Sequence, residues 1–136
     1  MDLLDTDMLS LLHLGDPRLQ ERFDPSRVAT TVITRIEVLQ GRFAFVMKAK
    51  DGEQLLSAFA RLARSEELLR RITVVPIDNA AAAEFDRLRL NKKLRKIGRA
   101  DLLIASIALA RGATVVTRNL RHFRQIPGLQ VENWID

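Results

Sequence analysis

Short β-branched segments alternate with longer helical segments along this chain, and this alternation restricts the fold more than any other feature of the sequence. Residues 28–31, 72–75 and 113–117 favour strands, whereas residues 53–71 and 102–110 favour helices. Strands that alternate with helices indicate a parallel sheet with helices packed on both of its faces. The segment 102–110 is apolar nearly all round, which places it in the interior. The sequence therefore predicts an α/β fold.

The length and composition predict one domain, residues 1–136, because 136 residues suit a single core and 47% of them are hydrophobic. There are no cysteines, which excludes disulfides, thiolate zinc sites and cysteine nucleophiles. The two histidines, His13 and His122, are too few for a histidine-rich metal cage. Any metal site must therefore use oxygen ligands, which favours Mg²⁺ or Mn²⁺.

The charge balance favours a polyanionic partner such as nucleic acid, because 22 lysines and arginines outnumber 17 acidic residues and the net charge is +5. A basic protein without such a partner is the alternative explanation. The first residues lack a basic leader region, and no segment is long and apolar enough to span a membrane. A cytoplasmic location is expected.

Two helices carry patterns of their own. The helix at 53–71 is amphipathic, with Leu55, Phe59 and Leu62 on one side, and we expect it to pair with the preceding helix as an antiparallel hairpin around residues 51–52. A helix from residue 78 to about residue 94 ends in a basic cluster. A run of basic residues is usually a solvated helix face. This run is also suited to extending a phosphate-binding surface.

Candidate functional residues follow the strands, where the carboxyl ends of an open parallel sheet collect ligands. Asp5 follows the first strand, and Thr117 and Asn119 follow a later one. Asp101 opens the buried helix, where the backbone dipole favours an ionised carboxylate, and Glu37 lies in the first turn of another helix. Converging carboxylates form a hard-cation site, since a cation relieves their mutual repulsion.

Helix capping explains the same residues without catalysis. Asp5, Asp101 and Asn119 each suit an N-cap position, and Thr34 with Glu37 fits the Thr-x-x-Glu capping box. Asp7 suits the helix dipole better than a ligand role. His122 is expected to be a surface histidine, and Trp134 is expected to pack on the sheet edge.

Four segments in order resemble PIN-domain nucleases, in particular the VapC-type toxins of bacterial toxin–antitoxin pairs. They are Leu-Leu-Asp-Thr-Asp at 3–7, Thr-Arg-Ile-Glu at 34–37, Gly-Arg-Ala-Asp at 98–101, and Val-Val-Thr-Arg-Asn at 115–119 followed by Phe123. The order and spacing match over nearly the whole chain.

The resemblance implies a PIN-like three-layer α/β/α sandwich with a mostly parallel sheet, and a Mg²⁺-dependent endoribonuclease, with Mn²⁺ as a substitute. Carried over by position, Asp5, Glu37 and Asp101 are the catalytic metal ligands, and Thr6 and Thr117 are supporting hydroxyls. The resemblance also implies a homodimer, an RNA substrate and a cognate antitoxin protein.

Asn119 departs from the pattern, because many relatives carry an aspartate there or place an acid nearer to His122. An amide supplies a neutral oxygen, which weakens a second Mg²⁺ site. This departure is the reason to keep an alternative: a catalytically weak or inactive PIN-fold protein that binds RNA or acts as a scaffold. Arg99, Arg118 and Arg121 are the candidate substrate-binding residues, because arginine suits phosphate geometry.

Overall fold

The computed structural model describes all 136 residues. The strands are β1 (Asp2–Leu4), β2 (Val28–Thr31), β3 (Thr73–Val75), β4 (Thr114–Val116) and β5 (Gln130–Glu132). The α-helices are α1 (Thr6–His13), α2 (Pro17–Arg22), α3 (Val32–Lys48), α4 (Gly52–Arg71), α5 (Asn79–Arg89), α6 (Arg99–Arg111) and α7 (Leu120–Phe123), and a 3₁₀ turn covers Lys92–Leu94. None of the helices combines the length and the apolar character that a membrane crossing requires.

All five strands lie in one parallel sheet in the order β3-β2-β1-β4-β5. The central strand β1 aligns Leu3 with Ala29 of β2 and with Val115 of β4. Because every strand runs in the same direction, all the carboxyl ends lie along one edge. The predicted parallel α/β sheet is confirmed.

Successive side chains of the strands point to opposite faces of the sheet, and each face is covered by helices. One buried cluster joins Leu3 and Val115 to α5 and α6. The other joins Leu4 and Val116 to α1, α2 and α4. The predicted three-layer α/β/α sandwich is therefore confirmed.

Helix α3 begins earlier than predicted. Its N-cap is Thr31, whose Oγ1 accepts a hydrogen bond of 3.2 Å from the backbone N–H of Thr34. The predicted capping box between Thr34 and Glu37 is therefore wrong, because the β-strand β2 runs directly into the helix. Glu37 consequently lies in the second turn rather than the first, which leaves its carboxylate available for other contacts.

The predicted helix over residues 78–94 ends at Arg89 instead. The side chain of Asn91 accepts a hydrogen bond of 3.0 Å from the N–H of Lys93 and starts the 3₁₀ turn. Asparagine competes with helix hydrogen bonds in this way. The chain therefore makes a corner between α5 and α6.

Helices α3 and α4 form the predicted hairpin, held near its base by a 3.0 Å hydrogen bond from Nε of Arg42 to Oγ of Ser65. Asp51 caps α4 by accepting a hydrogen bond of 2.8 Å from the N–H of Gln54. Large apolar side chains on this hairpin are exposed to solvent. This hairpin patch consists of Phe43, Phe45, Met47, Leu55, Leu56 and Phe59.

Candidate active site

Asp5 lies at the carboxyl end of β1 and caps α1, with Oδ1 accepting a hydrogen bond of 3.0 Å from the N–H of Met8. Only 9% of the residue is exposed. The pKa of Asp5 is raised from 3.8 to about 6, mainly by burial and also by the negative charges of Asp7 and Asp101, against hydrogen bonds from Thr117 and Met8 that lower it. Burial shifts the balance toward the neutral form because an ionised carboxylate is poorly solvated in this position.

Asp101 occupies the first turn of α6 and is half-buried. Its side chain does not cap the helix; Gly98 is the N-cap residue and makes no side-chain cap bond. Burial raises the pKa of Asp101, the neighbouring charge of His122 lowers it, and the charges of Glu37 and Asp7 raise it. Asp101 is therefore the acid with the largest number of charged neighbours in this region.

Glu37 is tied to the end of β1 through Thr6. Oγ1 of Thr6 donates a 2.6 Å hydrogen bond to Oε1 of Glu37 and lies 3.3 Å from Oγ1 of Thr34. These contacts connect the first residue of α1 with two turns of α3. They hold the carboxylate of Glu37 on the side of the helix from which it influences Asp101.

Thr117 follows β4 and connects two predicted site residues. Its hydroxyl hydrogen-bonds to the carboxylate of Asp5, and its Oγ1 accepts a hydrogen bond of 3.0 Å from the backbone N–H of Asn119. Asn119 is the N-cap residue of α7, as the capping alternative expected, but its side chain makes no capping hydrogen bond. The residue is exposed.

The four acids Asp5, Asp7, Glu37 and Asp101 are here called the carboxylate cluster, and Asp101 lies within electrostatic range of the other three. No group of three or more acidic or histidine side chains is close enough to form a complete metal site by itself. Mg²⁺ does not require one, since it keeps several waters and binds through one or two carboxylates and substrate phosphates. Raised pKa values and oxygen-only donors fit a hard divalent cation, which would relieve the repulsion.

The sequence matches the family model described as PIN domain over residues 3–129. This chain belongs to the PIN-domain family. It is 33% identical over 137 residues to the tRNA(fMet)-specific endonuclease VapC of Salmonella typhimurium, an alignment that covers 97% of this chain and 96% of the relative. It is 37% identical over 91 residues to ribonuclease VapC2 of Rickettsia felis, which covers 65% of this chain and 63% of the relative.

Solved structures of VapC-type PIN proteins share the fold. The DNA-bound VapBC complex of Salmonella typhimurium matches with a TM-score of 0.80 and 32% identity, covering 98% of this chain and 97% of that one. VapBC-1 of nontypeable Haemophilus influenzae matches with a TM-score of 0.75 and 27% identity, covering 99% and 98%. The chain is therefore a VapC-type PIN protein, and its activity is that of an endoribonuclease.

His122 is the residue of this PIN protein whose contact with Asp101 the sequence reasoning did not predict. Its Nε2 is buried and lies 3.2 Å from Oδ2 of Asp101, without the alignment of a hydrogen bond. The expectation of a surface histidine is therefore wrong. A signal was present, because His122 lies three residues after Asn119 and thus on the same side of a helical turn.

Asp7 lies in the first turn of α1, where an acid suits the helix dipole as expected, and Asp5 is the N-cap residue. The exposed carboxylate of Asp7 also raises the pKa of both Asp5 and Asp101. The same two shifts show that Asp7 contributes negative potential to this edge of the PIN sheet.

The three candidate arginines of the PIN protein are exposed. Arg99 lies in the first turn of α6, and its guanidinium is 5.5 Å from the ring centre of Phe85. Arg118 forms a 3.5 Å ion pair with Asp136. Arg121 lies on α7, one residue before His122, and makes no ion pair with an acid.

Proposed function

We propose that the chain hydrolyses phosphodiester bonds of RNA at the carboxylate cluster, with Asp5, Glu37 and Asp101 holding Mg²⁺, for which Mn²⁺ substitutes. The observation that carries this proposal is the convergence of charges on Asp101. The charges of Glu37, Asp7 and His122 change the pKa of Asp101, and the charge of Asp101 in turn raises the pKa of Asp5. Asp7, Glu37, Asp101 and His122 come from four different helices, α1, α3, α6 and α7, and Asp5 lies between β1 and α1. Neighbouring acids that cost stability in the free protein are typical of a site that binds a cation.

When bound, a divalent cation supplies a Lewis acid that activates water and offsets the charge developing on the phosphate oxygens. The protein supplies orientation. The N–H of Met8 holds Oδ1 of Asp5, the hydroxyl of Thr117 contacts the same carboxylate, and Thr6 holds Oε1 of Glu37. Asn119 supports the site through its N–H, which fixes Oγ1 of Thr117.

We assign to Arg99, Arg118 and Arg121 the binding of substrate phosphates. Arg99 begins the helix that carries Asp101, and Arg118 lies between Thr117 and Asn119. For Arg118 this role requires exchange of its ion pair with Asp136, which costs little because ion pairs between exposed side chains add little to stability.

His122 occupies the region where related proteins place a further acid, and it lies against Asp101. A histidine there adds no negative charge, so we propose that one metal ion binds at neutral pH rather than two. A titration with Mn²⁺ by calorimetry measures this directly, with one site expected for the wild type.

The first substrate to test is initiator tRNA, because the relative from Salmonella typhimurium is named as an endonuclease specific for tRNA(fMet). We propose a structured RNA of this kind for this chain, cut in an unpaired loop, where the backbone is free to enter a shallow site.

We further propose that the protein is a homodimeric cytoplasmic toxin folded as one domain, and that a cognate antitoxin inhibits it. Solved relatives are complexes of VapB with VapC. The hairpin patch supplies an apolar surface for the antitoxin, since Phe43, Met47 and Leu56 are 58%, 68% and 73% exposed. Apolar surface of this extent is typical of a protein–protein interface.

The decisive experiment measures Mn²⁺ binding by calorimetry and RNA cleavage in parallel. Asp101→Asn should lose both, and Asp86→Asn is the matched control, because Asp86 is an exposed carboxylate paired with Arg89 on α5. Cleavage by the wild type should stop on addition of chelator. Metal binding by Asp101→Asn at wild-type affinity would refute the proposed ligand set.

A further inference from the structure

The corner between α5 and α6 carries a concentration of positive charge. Residues 89–99 contain six lysines and arginines and no acidic residue. Arg89 pairs with Asp86, but Lys92, Lys93, Arg95 and Lys96 make no ion pair. Unpaired cations along one short segment repel one another, so the arrangement is best stabilised by an anionic partner.

A cleft of about 480 Å³ lies at this corner, between the end of α5, the 3₁₀ turn and the start of α6. The buried side chains of Leu88, Leu94 and Ile97 line it, and Leu90 beside it is 71% exposed. Such a cleft combines an apolar floor with a charged rim. We call it the corner cleft.

The rim of the corner cleft places cations beside an aromatic ring. Lys92, Arg95 and Arg99 line the cleft together with Phe85. The guanidinium of Arg99 already lies 5.5 Å from the ring centre of Phe85. Flat aromatic rings and guanidinium planes are the groups on which unpaired bases stack, and the lysines and arginines suit phosphates.

The corner cleft and the carboxylate cluster share the first turn of α6. Arg99 and Leu102 line the cleft, and Asp101 lies between them in the chain but on a different face of the helix, since residues one or two positions apart do not face each other. An RNA strand that reaches from Asp101 to the cleft therefore passes around this turn, across a helix about 10 Å wide.

We propose that the corner cleft binds unpaired nucleotides of the RNA strand that flanks the cleaved phosphodiester bond, with a base against Phe85 and the phosphates on Lys92, Arg95 and Arg99. This inference rests on the proposed function only in taking its RNA as the ligand. A second copy of the chain is disfavoured as the occupant, because a two-fold contact here brings the same cations of both copies together. A single-stranded polyanion neutralises them instead.

The test measures binding of a fluorescent single-stranded RNA oligonucleotide by anisotropy over a series of salt concentrations, in EDTA so that no cleavage occurs. The double variant Lys92→Ala/Arg95→Ala should weaken binding at least tenfold. It should also lower the slope of log K against log salt by about 1.4, because each phosphate contact on a single strand contributes about 0.7.

The matched control is Lys48→Ala/Lys50→Ala, which removes the same charge from exposed positions at the far end of the hairpin. It should leave the slope unchanged. Phe85→Leu keeps the apolar floor and should weaken binding about tenfold, with no change of slope, because base stacking does not depend on salt. The same oligonucleotide with abasic sites should bind the wild type and Phe85→Leu equally.

Three results would overturn the proposal: an unchanged slope for the double variant, an equal loss for the control, or a change of oligomeric state in sedimentation of the double variant without RNA. Cleavage of the same RNA by the wild type in Mg²⁺ is measured separately. Cleavage together with an unchanged slope refutes the corner cleft alone, whereas a lowered slope without cleavage refutes the proposed function alone.

Discussion

The carboxylate cluster and the hairpin patch are opposite exceptions to the usual distribution of side chains. In the cluster, the charged residue Asp5 is 9% exposed, whereas in the patch the apolar residues Phe43 and Phe59 are 58% and 59% exposed. Each arrangement lowers the stability of the free protein, because buried charge and exposed apolar surface are both poorly solvated. A bound cation corrects the first and a bound protein corrects the second. The comparison teaches that binding sites stand out as local departures from optimal folding.

Replacing Asp101 tests the first half of this comparison and has the largest expected effect. Asp101→Asn should reduce RNA cleavage at least about 1,000-fold while the protein remains folded, because it removes the acid that all the other charges face. Initial rates on labelled RNA and a circular dichroism spectrum check this. Wild-type cleavage by this variant would mean that the chemistry takes place elsewhere.

Replacing residues of the hairpin patch tests the second half. Phe43→Ser with Phe59→Ser should weaken antitoxin binding about 100-fold and leave RNA cleavage unchanged, because both rings lie on the hairpin outside the carboxylate cluster. Surface plasmon resonance with the antitoxin measures the affinity. The control is Leu90→Ser, an apolar residue on a different surface that is 71% exposed, more than either ring; if it weakens binding as much, the patch is not the interface.

Asp5 should make the free protein less stable as the pH rises. Its pKa is raised from 3.8 to about 6 in the folded state, so the native protein binds more protons between these values. Stability is therefore highest below pH 3.8 for this group and is lost as the pH passes 6, by about 3 kcal/mol. Asp5→Asn should be more stable than the wild type at pH 7.5 in EDTA, and this advantage should shrink at pH 4.5. Urea unfolding at both pH values tests it.

Bound metal should offset part of the stability that the protein loses when Asp5 ionises, and this is the smallest effect that we expect. Saturating Mg²⁺ should raise the melting temperature of the wild type by a few degrees and that of Asp5→Asn by less, because a cation stabilises only the native, ionised cluster. Scanning calorimetry with and without Mg²⁺ measures the difference. An equal rise in both proteins would show that the ion binds away from Asp5.

The sheet and the chain positions of the acids were predictable because they depend on local patterns. Strands that alternate with helices indicate the parallel order, and Asp5 follows directly from the end of an apolar strand. The contact between His122 and Asp101 was not predictable in the same way, since it joins α6 to α7 across the intervening strand β4. Long-range proximity of this kind depends on packing.

The hairpin shows a second limit. The amphipathic spacing of Leu55, Phe59 and Leu62 correctly predicts a helix, but it does not tell which partner covers the apolar side. In the structure Leu55 is 46% and Phe59 is 59% exposed, while Leu62 is only partly buried. Periodicity is the same whether the partner is the chain's own core or another protein.

The central position of β1 in the sheet determines when the active site can form during synthesis of the chain. β1 pairs with β4, and the ribosome makes residues 2–4 long before residues 114–116. At a usual synthesis rate the interval is roughly 5 to 20 seconds. During that time Asp5 has no Val116 carbonyl to hold its backbone and no Thr117 hydroxyl to orient its side chain. The nascent chain is therefore inert until translation of the protein is nearly complete.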